Sequence, residues 1–118
     1  MAYTVTKNKL SGSTNGKQIK ITTKEDPGTL IHTCVSETTD YDEIWLYATN
    51  TNKSAIKITT HFNDDASNAY WLWYILPPQS GWICVCNGWS VHNGAILRMF
   101  ANLINVVNVA GYVIQHRN

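Results

Sequence analysis

The chain has 118 residues, a formal net charge of +1, 44% hydrophobic residues and only 14% charged ones. A length of this order fits one hydrophobic core rather than several. The near-zero charge gives no electrostatic footprint for nucleic acid, and no apolar run approaches the roughly 20 residues that cross a membrane.

The few charges are unevenly placed. Lys7, Lys9, Lys17, Lys20 and Lys24 precede the first acid, all the acids fall between Glu25 and Asp65, and from Ala66 to Asn118 only Arg98 and Arg117 are charged. That same half holds Trp71, Trp73, Trp82 and Trp89. Depleted charge with enriched aromatics is the composition of a buried interface; the plainer alternative is a Trp-rich core beneath a neutral Asn, Ser and Thr surface. The opening stretch lacks the apolar centre of a signal peptide. Cys34, Cys84 and Cys86 are an odd number of cysteines, so reduced thiols made in a cytosol are expected.

Residues 1–16 are rich in Ser, Thr, Asn, Gly and Lys and read as an N-terminal arm before a single domain over 17–118. Gln18–Thr23 alternates, with Ile19 and Ile21 on one face, and Asp26, Pro27 and Gly28 follow as turn chemistry. Thr29–Val35 is rich in β-branched residues. Glu43–Thr49 is apolar on both faces, as in a central strand. In Ala55–Phe62 the alternation sends Ile56, Ile58, Thr60 and Phe62 inward and Lys57, Thr59 and His61 outward. Tyr70–Leu76 is a dense β-former run closed by Pro77 and Pro78. Trp82–Cys86 and Trp89–His92 read as short strands separated by an Asn87–Gly88 turn, with Asn93–Gly94 as the next turn. Ala95–Ala101 and Val106–Gln115 complete a set of about eight strands without a helix, which predicts an all-β, antiparallel β-sandwich, with the jelly roll as one form of it.

Several of these stretches form a recognisable cadence: Leu30–Cys34, Asp42–Asn50, the alternating Ile56–Thr59, the Pro78–Gly81 break, Asn93–Gly94 before Leu97–Ala101, and the closing Asn105–Val113. Together they resemble a group of small virion proteins of tailed bacteriophages, over residues 17–115. The resemblance is one of strand and turn pattern, and it implies a β-sandwich at the surface of the capsid that decorates or cements the shell. The aromatic run Tyr70–Tyr74 departs from that pattern.

No catalytic constellation stands out. Cys84 and Cys86, two apart on a strand, point to one face, and with His61 or His92 they could offer zinc ligands; no second such pair completes a tetrahedral set, and two small buried hydrophobes are the simpler reading. A disulfide from Cys34 to either is geometrically open. Asp40, Asp42 and Glu43 lie in or beside a Thr-rich loop, where Asp caps turns. Asn63, Asp64 and Asp65 lack the spacing of a calcium loop. His32 and His61 with Ser36 or Ser54 have no nucleophile elbow around them.

What remains is surface. Alternate residues of Tyr70–Leu76 face opposite ways. If Trp71, Trp73 and Ile75 point inward, then Tyr70, Leu72, Tyr74 and Leu76 form an outer apolar stripe, and either phase leaves large aromatics outside. The expected interface comprises Lys7 and Lys9 of the arm with Tyr70, Leu72, Tyr74, Trp82 and Trp89. The expected partners are a major capsid protein and further copies of the chain, as a homotrimer, with no catalysis, cofactor, nucleic acid or membrane. The rival expectation is a carbohydrate-binding or host-attachment module of a fibre or tail, in which exposed coplanar rings stack on sugar.

Overall fold

A computed structural model of the chain describes residues 3–25, 27–37, 39–62, 71–91 and 94–118, with the backbone alone at residues 62 and 71. Nine strands occur among them and no helix: β1 (Thr4–Lys9), β2 (Ile19–Lys20), β3 (Thr29–Thr33), β4 (Tyr41–Asn50), β5 (Ile56–Phe62), β6 (Trp71–Leu76), β7 (Ile83–Val91), β8 (Ile96–Ala101) and β9 (Val107–Arg117).

Their pairing makes the fold legible. β5 pairs with β6, β4 with β7, β3 with β8 and β2 with β9, every pair antiparallel. The chain thus runs out along β2 to β5 and returns along β6 to β9 as one long hairpin. Rolling that hairpin brings β9 against β4 and β8 against β5. The result is a five-stranded sheet in the order β1-β9-β4-β7, with β2 also on β9, and a four-stranded sheet in the order β3-β8-β5-β6. This is the jelly-roll form of the β-sandwich.

The core lies between the sheets and follows the period of two. In β4, Asp42, Ile44, Leu46, Ala48 and Asn50 are buried while the residues between them are half-buried. Val107, Val109 and Val113 of β9 lie beside them, and Ile31, Ile56, Ile58, Leu76, Leu97 and Met99 close the space from the other sheet. Buried Asn50 ties the layers together: its Nδ2 donates to the carbonyls of Leu76 (3.3 Å), Pro77 (3.0 Å) and Ser54 (2.9 Å).

One expectation gains detail and three are corrected. The polar arm contains a strand, β1, ordered by antiparallel pairing with β9 from Thr4 opposite Arg117 to Lys9 opposite Tyr112. Asn87–Gly88 is no hairpin turn: β7 runs straight through it, and the register against β4 shifts there by one residue. Gly88 has a φ of +87°, and a Cβ on it would lie 2.9 Å from the Trp45 ring, so the glycine accommodates a bulge beneath an indole. A second register shift between Leu46 and Tyr47 sets Cys86 opposite Leu46 and Cys84 opposite Tyr47. The two cysteines therefore do not share a face; Cys86 is buried and Cys84 exposed. Finally, Thr59 and His61 are buried rather than outward in solvent. Phe100 and Trp73 stand opposite Thr59 from either side, and Arg98 stands opposite His61.

Gly111 marks the tightest approach in the five-stranded sheet, since a Cβ there would sit 2.0 Å from the Trp45 carbonyl oxygen. Gly111→Ala is expected to lower unfolding free energy by about 1–3 kcal/mol, the usual cost of overpacking, as read by chemical denaturation.

Candidate interaction surface

A sheet edge exposes a row of unpaired amide and carbonyl groups, and stable monomers blunt such edges with charge, bulges or a covering segment. Three of the four edges here are blunted in these ways. β1 carries Lys7 and Lys9. β7 is bulged at two places. β3 is covered by the segment after β1, where Gly12 N–H donates to the Ile31 carbonyl (2.9 Å) and Ser11 Oγ accepts from Thr33 N–H (2.6 Å).

Among the described residues, β6 has none of these devices. It pairs with β5 in unbroken register from Ile56 opposite Leu76 to His61 opposite Trp71, it ends the order of its sheet, and it contains no charge and no proline. Its side chains are uncovered on both faces: Leu72 is 41% exposed, Trp73 53%, Tyr74 42% and Ile75 58%. Buried Leu76 sets the phase, so Tyr74 and Leu72 share the core side and Trp73 and Ile75 face outward. This is the opposite of the phase that would bury Trp73 and Ile75. Tyr74 stands opposite buried Ile58, yet the core does not extend far enough to cover it. The Lys57 Nζ lies 5.1 Å from the Trp73 ring centroid on the outward face.

The expected interface residues fall in separate places. Leu72 and Tyr74 lie on β6; Tyr70 is outside the described residues. Trp89 is on β7 and Trp82 just before it, both exposed, in the five-stranded sheet. Lys7 and Lys9 belong to β1 at that sheet's far edge. Lys7 Nζ sits 4.2 Å from the Tyr112 ring centroid and Lys9 Nζ donates to the Ser13 carbonyl (3.0 Å), so both contact their own domain. Trp73 and Ile75, more exposed than Leu72 and Tyr74, were absent from the expected set because the sequence alternation alone did not reveal which phase faces the core.

The outer face of the five-stranded sheet is aromatic and internally partnered. Tyr41 stacks on His116 at 4.5 Å, Trp45 lies parallel to Tyr112 at 6.3 Å, and Tyr3 bonds His116 through its hydroxyl. Glu43 accepts from Trp45 Nε1 (2.7 Å) and contacts His116 Nε2 (3.1 Å). The indole hydrogen bond first, and His116 second, hold its carboxyl below the ordinary range. Beside these rings a shallow depression of about 470 Å³ has Ala110 and Gly111 as its floor and Tyr47, Trp82, Tyr112 and Gln18 around it.

One polar cluster is sealed inside. His32 Nε2 and Asp42 Oδ2 are 2.7 Å apart across the sandwich, Val35 N–H donates to the same oxygen (3.3 Å), and Cys34 lies alongside. Asp42 Oδ1 is buried with no hydrogen-bond partner among the described residues. The donor types suit zinc. However, Ser11 N–H donates to His32 Nδ1 (3.0 Å), which puts the imidazole proton on Nε2 and directs it at Asp42. A metal on Nε2 would need that proton on Nδ1, where an amide proton already points. The cluster is therefore an inter-sheet clamp. Sequence reading considered His32, Cys34 and Asp42 separately, because only the packing of β3 on β4 brings them together. The zinc ligands set aside in the sequence are not assembled among the described residues either: His92, like Asn63, Asp64 and Asp65, lies outside them, and His61 belongs to the other sheet from Cys84 and Cys86. All three cysteines are free.

Comparison with protein-family models, with curated proteins and with solved structures gives no match to this chain.

Two outcomes follow from the buried groups. His32→Ala should cost about 3–5 kcal/mol, because it strands the Asp42 carboxylate, whereas replacing both His32 and Asp42 by Leu should cost far less than the two single changes summed; a double-mutant cycle in denaturant measures this. Burial is the leading cause that pushes the Cys34 thiol up to about 12 and the Cys86 thiol up to about 11. At pH 8 a colorimetric thiol reagent should therefore modify Cys84 in the native chain, and all three cysteines only after unfolding.

Proposed function

We propose that this protein is a structural component of a tailed-phage virion, of the kind that cements or decorates the capsid shell. The observation that carries the reading is β6, an apolar strand uncovered on both faces at an unblunted sheet edge. An isolated soluble domain gains nothing from such a strand and risks aggregation; a subunit built to be buried in an assembly uses it as a contact. The charge-poor half from Ala66 to Asn118 supports the same reading, since charge is depleted where surfaces meet. The strand-and-turn resemblance to small virion proteins supplies the setting. By fold-level analogy alone, jelly rolls recur in viral capsid domains.

In this role the domain sits on the outside of the capsid, between subunits of the major capsid protein, and contacts further copies of itself. It adds buried area that resists internal pressure. No catalysis, cofactor or nucleic-acid contact enters this mechanism, and the buried His32–Asp42 pair serves the fold.

The second reading, a carbohydrate-binding or attachment module, draws on the depression over Ala110 and Gly111. Tyr47, Trp82 and Tyr112 offer ring faces, and the Gln18 amide offers hydrogen bonds, which is the chemistry that holds a neutral sugar ring.

The copy number of this chain relative to the major capsid protein in purified particles separates the two. A stoichiometric, shell-bound chain is the expected result. A handful of copies confined to a vertex or tail, with the isolated chain retained on an immobilised glycan and Trp82→Ala abolishing that retention, would establish the attachment module instead.

A further inference from the structure

We infer that β6 pairs antiparallel with β6 of a second copy, about a two-fold axis perpendicular to the sheet, merging the two four-stranded sheets into one. This names the partner of the surface described above and rests on reading β6 as an assembly contact.

The argument begins with the backbone. β5 takes one edge of β6, and the other edge offers alternating amide and carbonyl groups that a strand satisfies best. The occupant must therefore be extended. It must also be uncharged and apolar on both faces, because Leu72 and Tyr74 project to one side and Trp73 and Ile75 to the other. Among the described strands of this chain, β6 itself meets that requirement, whereas β1 carries two lysines, β7 is bulged and β3 is covered.

Symmetry then restricts the register. An antiparallel pair related by a two-fold axis keeps like faces together only if residues opposite one another have the same parity. Of the registers this allows, the two that overlap most of β6 pass the axis through Trp73 opposite Trp73 or through Tyr74 opposite Tyr74. In the first case Leu72 meets Tyr74; in the second Trp73 meets Ile75. Both place an aromatic ring beside an aliphatic side chain, a favourable cross-strand combination.

Electrostatics allows the arrangement. Lys57, opposite Ile75 on β5, is the nearest strand cation on the outward face. In the merged sheet the two Lys57 residues lie three strand spacings apart, roughly 14 Å, beyond a Debye length of about 8 Å at physiological salt.

Sedimentation equilibrium on the full chain tests this. The expected mass is twice the 13.3 kDa of the monomer, falling by half in the double variant Trp73→Lys, Ile75→Lys, whose changes lie on the outward face away from the core. Should that variant fail to fold, amide exchange on the unaltered chain decides. Raising its concentration across the dissociation range should slow exchange at those amides of Leu72–Leu76 that do not face β5. A monomer at every concentration, a trimer, a dimer that survives the double variant, or concentration-dependent protection confined to other strands would overturn the pairing. A monomer that is still stoichiometric on particles would remove the β6 pairing and leave the shell role standing; a dimer missing from particles would do the reverse.

Discussion

Backbone hydrogen bonding at the sheet borders governs this molecule. Each strand carries an amide and a carbonyl at nearly every residue, and these groups must meet partners or water. Inside the sandwich the ladders satisfy them. At the borders the chain spends residues on the problem: lysines on β1, extra residues in β7, and a whole returning segment laid over β3. The exception is β6, which presents straight, neutral backbone flanked by indole, phenol and aliphatic groups. The contrast within one domain is what gives the exception meaning. Had all the borders been equally plain, β6 would indicate only a crude surface.

An edge strand with so little side-chain cover still needs to be held in place. Asn50 does much of this. Its amide reaches the carbonyls of Leu76 and Pro77 at the end of β6, while its Oδ1 accepts from Asn52 N–H (2.8 Å). Leu76 is buried beside it. At the other end of β4, Asp42 engages His32 of the opposite sheet. Two polar ties, one near each end of the same central strand, thus connect the layers. Such ties add little net stability over apolar substitutes, but each forms in one relative placement of the sheets. That placement decides which side chains of β6 find cover.

Much of the architecture was legible in the sequence, for identifiable reasons. Period-two alternation located the strand at Ile56–Phe62, and the doubly apolar run at Glu43–Thr49 marked the central position that β4 occupies. Turn residues misled where they served bulges: Asn87–Gly88 has hairpin chemistry but works inside β7, because a left-handed glycine suits either use. The strand in the N-terminal arm was illegible because TVTKNK is polar on both faces, and its partner lies at the opposite end of the chain. The exposed apolar strand was half legible. Composition pointed to the Tyr70–Leu76 run, but its phase depended on tertiary packing, and so Trp73 and Ile75 emerged only with the fold. The His32–Cys34–Asp42 cluster had no linear signal, since its members belong to facing sheets.

The place of β9 has a bearing on biogenesis. It contacts β1, β2 and β4 and so forms the spine of the larger sheet. On a ribosome, β1 and β2 emerge long before that spine and have nothing to zip onto until residues 107–117 follow them out. The smaller sheet obtains its own bridging strand, β8, only slightly sooner. With its pairings so distant along the polypeptide, folding should be slow. Until those strands arrive, the apolar β6 stays uncovered on an incompletely folded chain, the state in which open strand edges aggregate.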